Sequence, residues 1–458
     1  DRLGNALRAT GLRPGERVGV LLPNGIEGLI TYYAIAKAGL VRAPLNSRET
    51  AGDHAYKLTE VGARALIGTT ADDFGVATIS EVFDHAQLLE MIGGGPKGPC
   101  EVLRDGDAPF RLGFTGGTTG RSKAVILTMR CEHAEIANFL IDLLPDLRPG
   151  DRMLHAAPVV HASGAFVLPH LIRGATNVIL EKFEPATFLE HLERERATAT
   201  FLVPTMIAMV VDQPNATDLN APALRRLCYG ASPIAPVLVK RAEGVFGRRL
   251  AQTYGQAESP MAITCLQPED HDREGSAGRP YTLIEVAVVD EEDRPVATGE
   301  EGEVITRGQH IFAGYWNRPD ETAEVMRNGW VHTGDIGAFD EDGFLYLRDR
   351  KKEMIISGGY NVYPRELEDV LVSHPGVREA AVVGLPDAKW GERVHAVVVA
   401  RDAAGLSEAD VLAFVAERVA GYKRPRTCEI WQTPIPKSAA GKPLRREVRD
   451  RCVAALTD

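Results

Sequence analysis

Three glycines, three threonines and a lysine crowd the stretch Phe114-Thr115-Gly116-Gly117-Thr118-Thr119-Gly120-Arg121-Ser122-Lys123, which runs into the apolar Ala124-Val125-Ile126-Leu127. Glycine admits positive φ and lets a backbone come close to a ligand. Successive N–H groups in such a loop make an anion-binding concavity, and threonine hydroxyls add donors or reach a divalent cation. A phosphate-bearing ligand is the chemistry this composition serves. The spacing is not the mononucleotide pattern G-x-x-x-x-G-K-[ST], because Lys123 stands three residues after Gly120. Taken alone, a Gly/Thr-rich loop serves equally well as a flexible surface turn.

Further segments follow in order along the chain: Tyr254-Gly255-Gln256-Ala257-Glu258, Thr333-Gly334-Asp335, Asp349-Arg350-Lys351-Lys352-Glu353 with Gly358-Gly359, and Pro436-Lys437-Ser438-Ala439-Ala440-Gly441-Lys442. With the first loop, this series resembles the acyl-adenylate-forming superfamily of acyl-CoA synthetases, adenylation domains and luciferases, over essentially the whole chain. The loop is similar to that family's T-S-G-T-T-G-x-P-K-G, and the others to its Y-G-x-T-E, T-G-D and P-K-T-x-x-G-K segments. The chain departs from the pattern at Gly116, Ser122, Ala124 and Ala257, where Ser, Pro, Gly and Thr are usual.

The resemblance implies ATP and Mg²⁺ as cofactors and coenzyme A as the thiol. Thr115, Gly116, Gly117, Thr118, Thr119, Gly120 and Lys123 would cradle the phosphates. Lys442 would neutralise charge developing on the α-phosphate, a task suited to a mobile ammonium. Glu258, a hard oxygen ligand, would hold the metal with Thr118; the plainer reading is a glutamate at a helix N-terminus. Asp335 would accept from the ribose hydroxyls with Arg350 beside it; Thr-Gly-Asp is also ordinary turn chemistry. Gly230, Ala231 and Ser232 would run along the adenine with Tyr254, Gly255, Gln256 and Ala257.

For the acyl group, the segment Pro158-Val159-Val160-His161-Ala162-Ser163-Gly164 resembles the family's gating segment. His161, Gly164, Met206, Gly230 and Gly255 are the candidate lining. Amino-acid-activating relatives carry an Asp in that segment. None stands here, so an aryl, alicyclic or fatty acid is expected rather than an α-amino acid. For the thiol, Gly358 and Gly359 would line a pantetheine tunnel, and Trp390, Tyr422, Arg424 and Arg426 would hold the nucleotide of coenzyme A by stacking and charge. A basic surface loop and a packed tryptophan would use the same residues. An enzyme loading an acyl carrier protein is the alternative within enzymes. A non-catalytic nucleotide- or acyl-binding relative is the alternative outside them, and Lys442, Glu258, Asp335 and Arg350 together argue against it.

The elements that must position these groups are legible in outline. Short apolar runs at 18–22, 41–45, 152–156, 177–180, 200–203 and 226–229 alternate with helical stretches, as in α/β folds with largely parallel strands. Strand-and-turn character takes over near Glu285. The fold class expected is therefore α/β, with a large N-terminal domain of several subdomains, mainly parallel sheets and a β-rich part. A small α+β C-terminal domain follows. Domains at 1–349 and 350–458 are expected, and the resemblance to the acyl-adenylate-forming superfamily implies that the small one is mobile, with its hinge at Lys352.

With 458 residues, 44% apolar and 25% charged, the chain fits a soluble protein of two or three domains. A net charge of −11 argues against general nucleic-acid or anionic-membrane binding. No run reaches the length of a membrane helix. Six scattered cysteines without a C-x-x-C pair fit a reducing cytoplasm rather than a zinc or disulfide framework. A homodimer is compatible with all of this. The first residues read as mid-helix, so upstream residues are expected.

Lys442→Ala should lower acyl-adenylate formation, read by ATP–pyrophosphate exchange, by at least about 10²–10³-fold, the usual cost of one preorganised electrostatic donor. Thioester formation from supplied acyl-adenylate should suffer far less. Equal loss in both would remove the role assigned to this lysine.

Overall fold

The computed structural model of the chain describes all residues except 69–71, 101, 103–104, 116–121, 402–404, 438–442 and 458. The expected alternation opens it: helix Arg2–Ala9, strand Arg17–Leu21, helix Ile26–Lys37 and strand Val41–Pro44. Val18, Val20, Ile35 and Ile67 are fully buried where helix and sheet meet. The helix Ala51–Val61 follows, absent from the sequence reading. Thr50 and Asp53 close a capping box at its start, which satisfies two otherwise free N–H groups. The first sheet orders its strands Glu81–Phe83, Ala65–Gly68, Arg17–Leu21, Val41–Pro44, Pro109–Phe114 and Ala124–Thr128. All neighbours run parallel except the last pair, an antiparallel hairpin. The Gly/Thr-rich loop is that hairpin's connection, and the paired strand ends, Phe114 opposite Ala124, fix where the loop begins and returns.

The second sheet starts parallel, through Thr176–Ile179, Arg152–His155, Ala199–Leu202, Arg226–Gly230 and Leu250–Gln256. Helices Pro185–Arg194, Pro204–Val211 and Pro236–Phe246 connect them, each with proline in its first turn, where the missing N–H leaves nothing unbonded. The last of these buries Ala242 and Phe246, and a fully buried Phe contributes about 1.5–3 kcal/mol. The expected β-rich part is present, and it continues the parallel part. Ser276–Pro280 pairs with Ser259–Leu266 on one edge and Leu345–Arg350 on the other, so twelve strands form one sheet. Gly278, at φ +91°, makes this possible: a Cβ there would lie 2.0 Å from the Cys265 carbonyl oxygen.

The third sheet holds Ile355–Ser357, Tyr360–Val362, Val377–Asp387, Gly391–Ala400 and Thr427–Trp431. Its central hairpin pairs from Val377–Ala400 to Asp387–Gly391. Asp387 Oδ1 turns the chain by accepting from the N–H groups of Lys389 and Trp390. Helices Pro364–Val372 and Glu408–Ala416 cover this sheet through Leu367, Leu371, Val411 and Val415. The six cysteines are buried and unpaired. Among the described residues no helix is long and apolar enough to cross a membrane.

The small domain is tied to the large one by charge. Asp349 Oδ2 accepts from the backbone N–H of Arg365 at 2.8 Å, capping the helix Pro364–Val372 whose own N-cap residue, Tyr363, offers no side-chain bond. Asp349 Oδ1 accepts from Arg445 at 2.9 Å. The same guanidinium meets Glu353 and both oxygens of Glu368. Arg445→Met leaves three carboxylates facing one another with no cation between them. Denaturant titration should show a loss of about 3–5 kcal/mol, the range for breaking a buried pair.

Candidate active site

Strands Leu250–Gln256 and Ser259–Leu266 meet in a tight hairpin whose register slips between Tyr254 and Gln256. Glu258 therefore stands in a hairpin turn and not at a helix N-terminus. Gly255 packs against backbone, since a Cβ would lie 2.5 Å from the Cα of Met261. Met261 itself takes φ +45°, a strained conformation of the kind that clusters at functional sites. Glu258 is 9% exposed. Its Oε1 accepts from the Tyr315 hydroxyl at 2.6 Å, and its carbonyl accepts from Phe312 at 2.9 Å. Burial, then the carboxylate of Glu258, holds the Tyr315 hydroxyl far above its usual pKa, so it stays a donor.

Lys123 reaches the same place from the first sheet. Its ammonium sits 4.8 Å from the centroid of the Tyr315 ring and pairs with Glu321. The base of the Gly/Thr-rich loop is closed by Thr115. Its N–H donates to the Lys123 carbonyl at 3.0 Å, its Oγ1 accepts from Lys123 N–H at 3.1 Å, and its carbonyl accepts from Ser122 Oγ at 2.5 Å. Gly116, Gly117, Thr118, Thr119 and Gly120 lie outside the described residues, as does Lys442.

Thr333-Gly334-Asp335 is not a turn but part of the strand Trp330–Phe339. The antiparallel register sets Asp335 opposite Arg350, with Arg350 Nε 3.1 Å from Asp335 Oδ1. The Tyr254 hydroxyl donates to Asp335 Oδ2 at 2.5 Å. Burial and then Asp335 raise the tyrosine's pKa well above its usual value, and the Asp335 carboxylate raises that of Arg350. Three separated motifs thus converge on one buried carboxylate. Gly230 ends its strand with room for no Cβ, the Thr253 carbonyl oxygen being 2.3 Å away. Ala231 follows at φ +67°, left-handed backbone that costs a non-glycine residue about 1–2 kcal/mol. Ser232 continues the turn towards the helix Pro236–Phe246, and Ala257 packs beside Ile311, Phe312 and Tyr315.

His161 precedes the short helix Ala162–Phe166. The residue is exposed, yet desolvation by the surrounding protein pulls its pKa down to about 4, against Glu49. At neutral pH it is uncharged. Buried His155 pins the segment, bonding Ser163 at 2.8 Å and Asn177 at 2.7 Å. Gly164 folds tightly onto the Val159 carbonyl. Met206 packs on the same core as Ala162 and Ala165, so the segment and the start of helix Pro204–Val211 share one wall.

The residues expected to meet a thiol substrate also gather. Gly358, at φ +60°, faces the Trp390 ring, where a Cβ would come within 2.7 Å, and its N–H donates to the Trp390 carbonyl. Arg426 lies over that ring at 5.0 Å. The rings of Tyr360 and Tyr422 meet at a tilt of 32° with centroids 4.8 Å apart. Gly359 and Arg424 are exposed beside them, and Arg424 donates only weakly to the Val419 carbonyl at 3.4 Å. Lys352 lies in the exposed turn Lys351–Glu353, between the strand Leu345–Arg350 of the second sheet and Ile355–Ser357 of the third.

Tyr315 and Arg445 were missed by the sequence reading. Tyr315 stands in Gly314-Tyr315-Trp316-Asn317, and no spacing ties it to Glu258, which is fifty-seven positions away. Arg445 follows the 436–442 motif, but its three acidic partners come from distant segments.

The AMP-binding enzyme family matches residues 1–316, and the AMP-binding enzyme C-terminal domain matches residues 366–442. The chain is 38% identical to the medium/long-chain-fatty-acid–CoA ligase FadD8 of Mycobacterium tuberculosis, over 97% of this chain and 83% of that protein. It is 37% identical to a feruloyl-CoA synthase of an Amycolatopsis species, over 98% and 91%. ATP-bound MatB from Rhodopseudomonas palustris superposes with a TM-score of 0.92 at 28% identity, over 99% of this chain and 92% of that one.

Tyr315→Phe removes the donor held by Glu258 and leaves a nearly buried carboxylate oxygen unpaired. Hydrogen bonds to charged groups are worth about 1.5–3 kcal/mol. A loss of that size in denaturant titration is expected, and no loss would mean that solvent already serves Glu258.

Proposed function

The chain belongs to the AMP-binding enzyme family, whose members here are AMP-forming acid–thiol ligases, and on that premise we propose that it joins a carboxylic acid to coenzyme A. The first step is R–COO⁻ + ATP → R–CO–AMP + pyrophosphate. In the second, the thiol attacks the adenylate carbonyl and AMP leaves. The observation that carries this reading is the convergence of Tyr254, Asp335 and Arg350. A buried carboxylate whose oxygens are aligned by a tyrosine and a guanidinium is a preorganised acceptor for two sugar hydroxyls.

The site fits a hard divalent cation: Glu258 has one oxygen held by Tyr315 and, among the described residues, no donor on the other. Glu258 and Thr118 would hold Mg²⁺, which when bound neutralises phosphate charge. Thr115, Thr119, Lys123 and the loop glycines bind the phosphates. Ala231, Gly230, Ser232 and the Tyr254–Ala257 strand end orient the nucleoside. Lys442 stabilises charge gained by the α-phosphate oxygens. His161, neutral at pH 7, walls the acyl group with Gly164 and Met206 and excludes water from the adenylate. For the second step the domain beyond residue 349 turns about Lys352, withdrawing Lys442 and presenting Gly358 and Gly359 to the pantetheine arm. Trp390, Tyr422, Arg424 and Arg426 take the nucleotide end of the thiol. Buried, unpaired cysteines fit a reducing compartment, and the cytoplasm is the proposed location.

Acid-dependent ATP–pyrophosphate exchange across fatty, aryl and alicyclic acids tests the first step. Its absence with every acid would overturn the reading. Arg424→Ala should raise KM for coenzyme A several-fold, leave exchange untouched and leave pantetheine use nearly unchanged, because pantetheine lacks the phosphates a guanidinium would hold. Acylation of a carrier protein with no turnover of coenzyme A would transfer the assignment to carrier loading.

A further inference from the structure

Beside the segment that carries His161 lies a small chamber used by none of the steps above. Its walls include Tyr32 and Tyr33 from the helix Ile26–Lys37, Arg42 and Arg111 from two neighbouring strands, and Val160 and Gly164. The free space is about 10 Å³, room for one water-sized atom. Arg42 and Arg111 stand directly opposite each other in the parallel register, a like-charge pairing that destabilises a sheet. Arg42 is 7% exposed, and the Nε of each arginine is buried without a partner. Among the described residues, neither guanidinium has a hydrogen bond or ion pair. What Arg42 does have is the faces of Tyr32 at 4.8 Å and Phe110 at 5.0 Å.

Two carboxylates approach from the helix Met129–Asn138: Glu132 and Glu135, both buried. They act on the arginines electrostatically but bond to neither. Burial, and then Glu132 beside it, pushes the Glu135 carboxyl up towards its neutral form, so the helix does not cancel both cations. Burial also keeps Tyr32 protonated, its pKa pushed up to about 12. The chamber therefore presents donors in excess of acceptors. Buried donors without partners are rare in folded proteins, and here two face one small space.

We propose that this chamber is a recognition subsite for one oxygen atom, a hydroxyl, ether or carbonyl oxygen borne by the acyl group away from its reacting carboxylate, with Arg42 and Arg111 as the donors. The inference rests on the ligase reading and narrows its substrate class to oxygen-substituted acids. An oxygen suits the space, since a second carboxylate would bring three heavy atoms where one fits. Val160 and Gly164 connect the chamber to the wall assigned to the acyl group, and Arg111 acts electrostatically on His161 in that same wall.

The test compares matched acids in ATP–pyrophosphate exchange with the wild-type chain: hydroxy-, methoxy- or keto-substituted aryl and alkyl acids against their hydrocarbon counterparts. A site built to bond an oxygen rejects the analogue lacking it strongly, so kcat/KM should favour at least one oxygenated series by about 10²-fold or more. Arg111→Met and Arg42→Met should each shrink that ratio to within about tenfold. Hydrocarbon acids used as well as every oxygenated partner would overturn the subsite, leave it holding a structural water only, and leave the ligase reading standing. A preference unchanged in a folded Arg111→Met or Arg42→Met variant would overturn it equally. Absence of exchange with every acid would overturn both readings. A wild-type chain without the preference overturns the subsite even if neither variant folds.

Discussion

The period-two alternation of the strand Leu345–Arg350 is the constraint on which the rest depends. Successive side chains on a strand point to opposite faces, so Arg350 and Asp349 serve different partners. Arg350 turns to Asp335 on the neighbouring strand, within reach of Tyr254. Asp349 turns away, caps the helix Pro364–Val372 and receives Arg445. A one-residue slip in this register would exchange the two faces. The nucleoside-side carboxylate and the joint between the domains would be lost together. The proposed rotation about Lys352 begins immediately beyond this pair, so it must trade the Asp349 and Arg445 contacts for others while leaving Asp335 and Arg350 in place.

Buried charge elsewhere is handled by short relays. Glu258 leans on Tyr315, the Tyr315 ring lies beneath Lys123, and Lys123 is held by Glu321. Each link joins a different part of the chain: the first sheet, the second, and the loop that crosses between them. Burial costs a charge far more when it is unpaired, so the relay holds these segments in one arrangement. The price is local strain, at Ala231 and Met261, both in left-handed backbone beside glycines with no room for a side chain.

The chamber at Arg42 and Arg111 breaks this rule. By contrast, Lys57 has the Glu49 carboxylate at bonding distance and Arg445 has three carboxylates. Here the carboxylates stand off and one is driven towards neutrality. That contrast, more than the chamber's size, separates it from ordinary packing.

The sequence alone determined the kinds of chemistry available and the class of fold. Those follow from local causes: glycine content, hydrophobic period, and residue types at short spacings such as Tyr254 to Glu258 or Thr333 to Asp335. It also marked the apolar run Ala124-Val125-Ile126-Leu127 into which the Gly/Thr-rich loop returns. The plainer alternatives it left open, a helix start at Glu258 and a turn at Thr333-Gly334-Asp335, do not hold, because short polar segments carry no period to show whether they extend a strand. It left out Tyr315, Arg445 and the pairing of Arg42 with Arg111, whose partners lie far along the chain. Strand register decides such contacts, and register is set by cooperative packing of whole sheets. Only the tertiary structure could bring a tyrosine to Glu258, three acids to one arginine, and two unpaired arginines to a single small space.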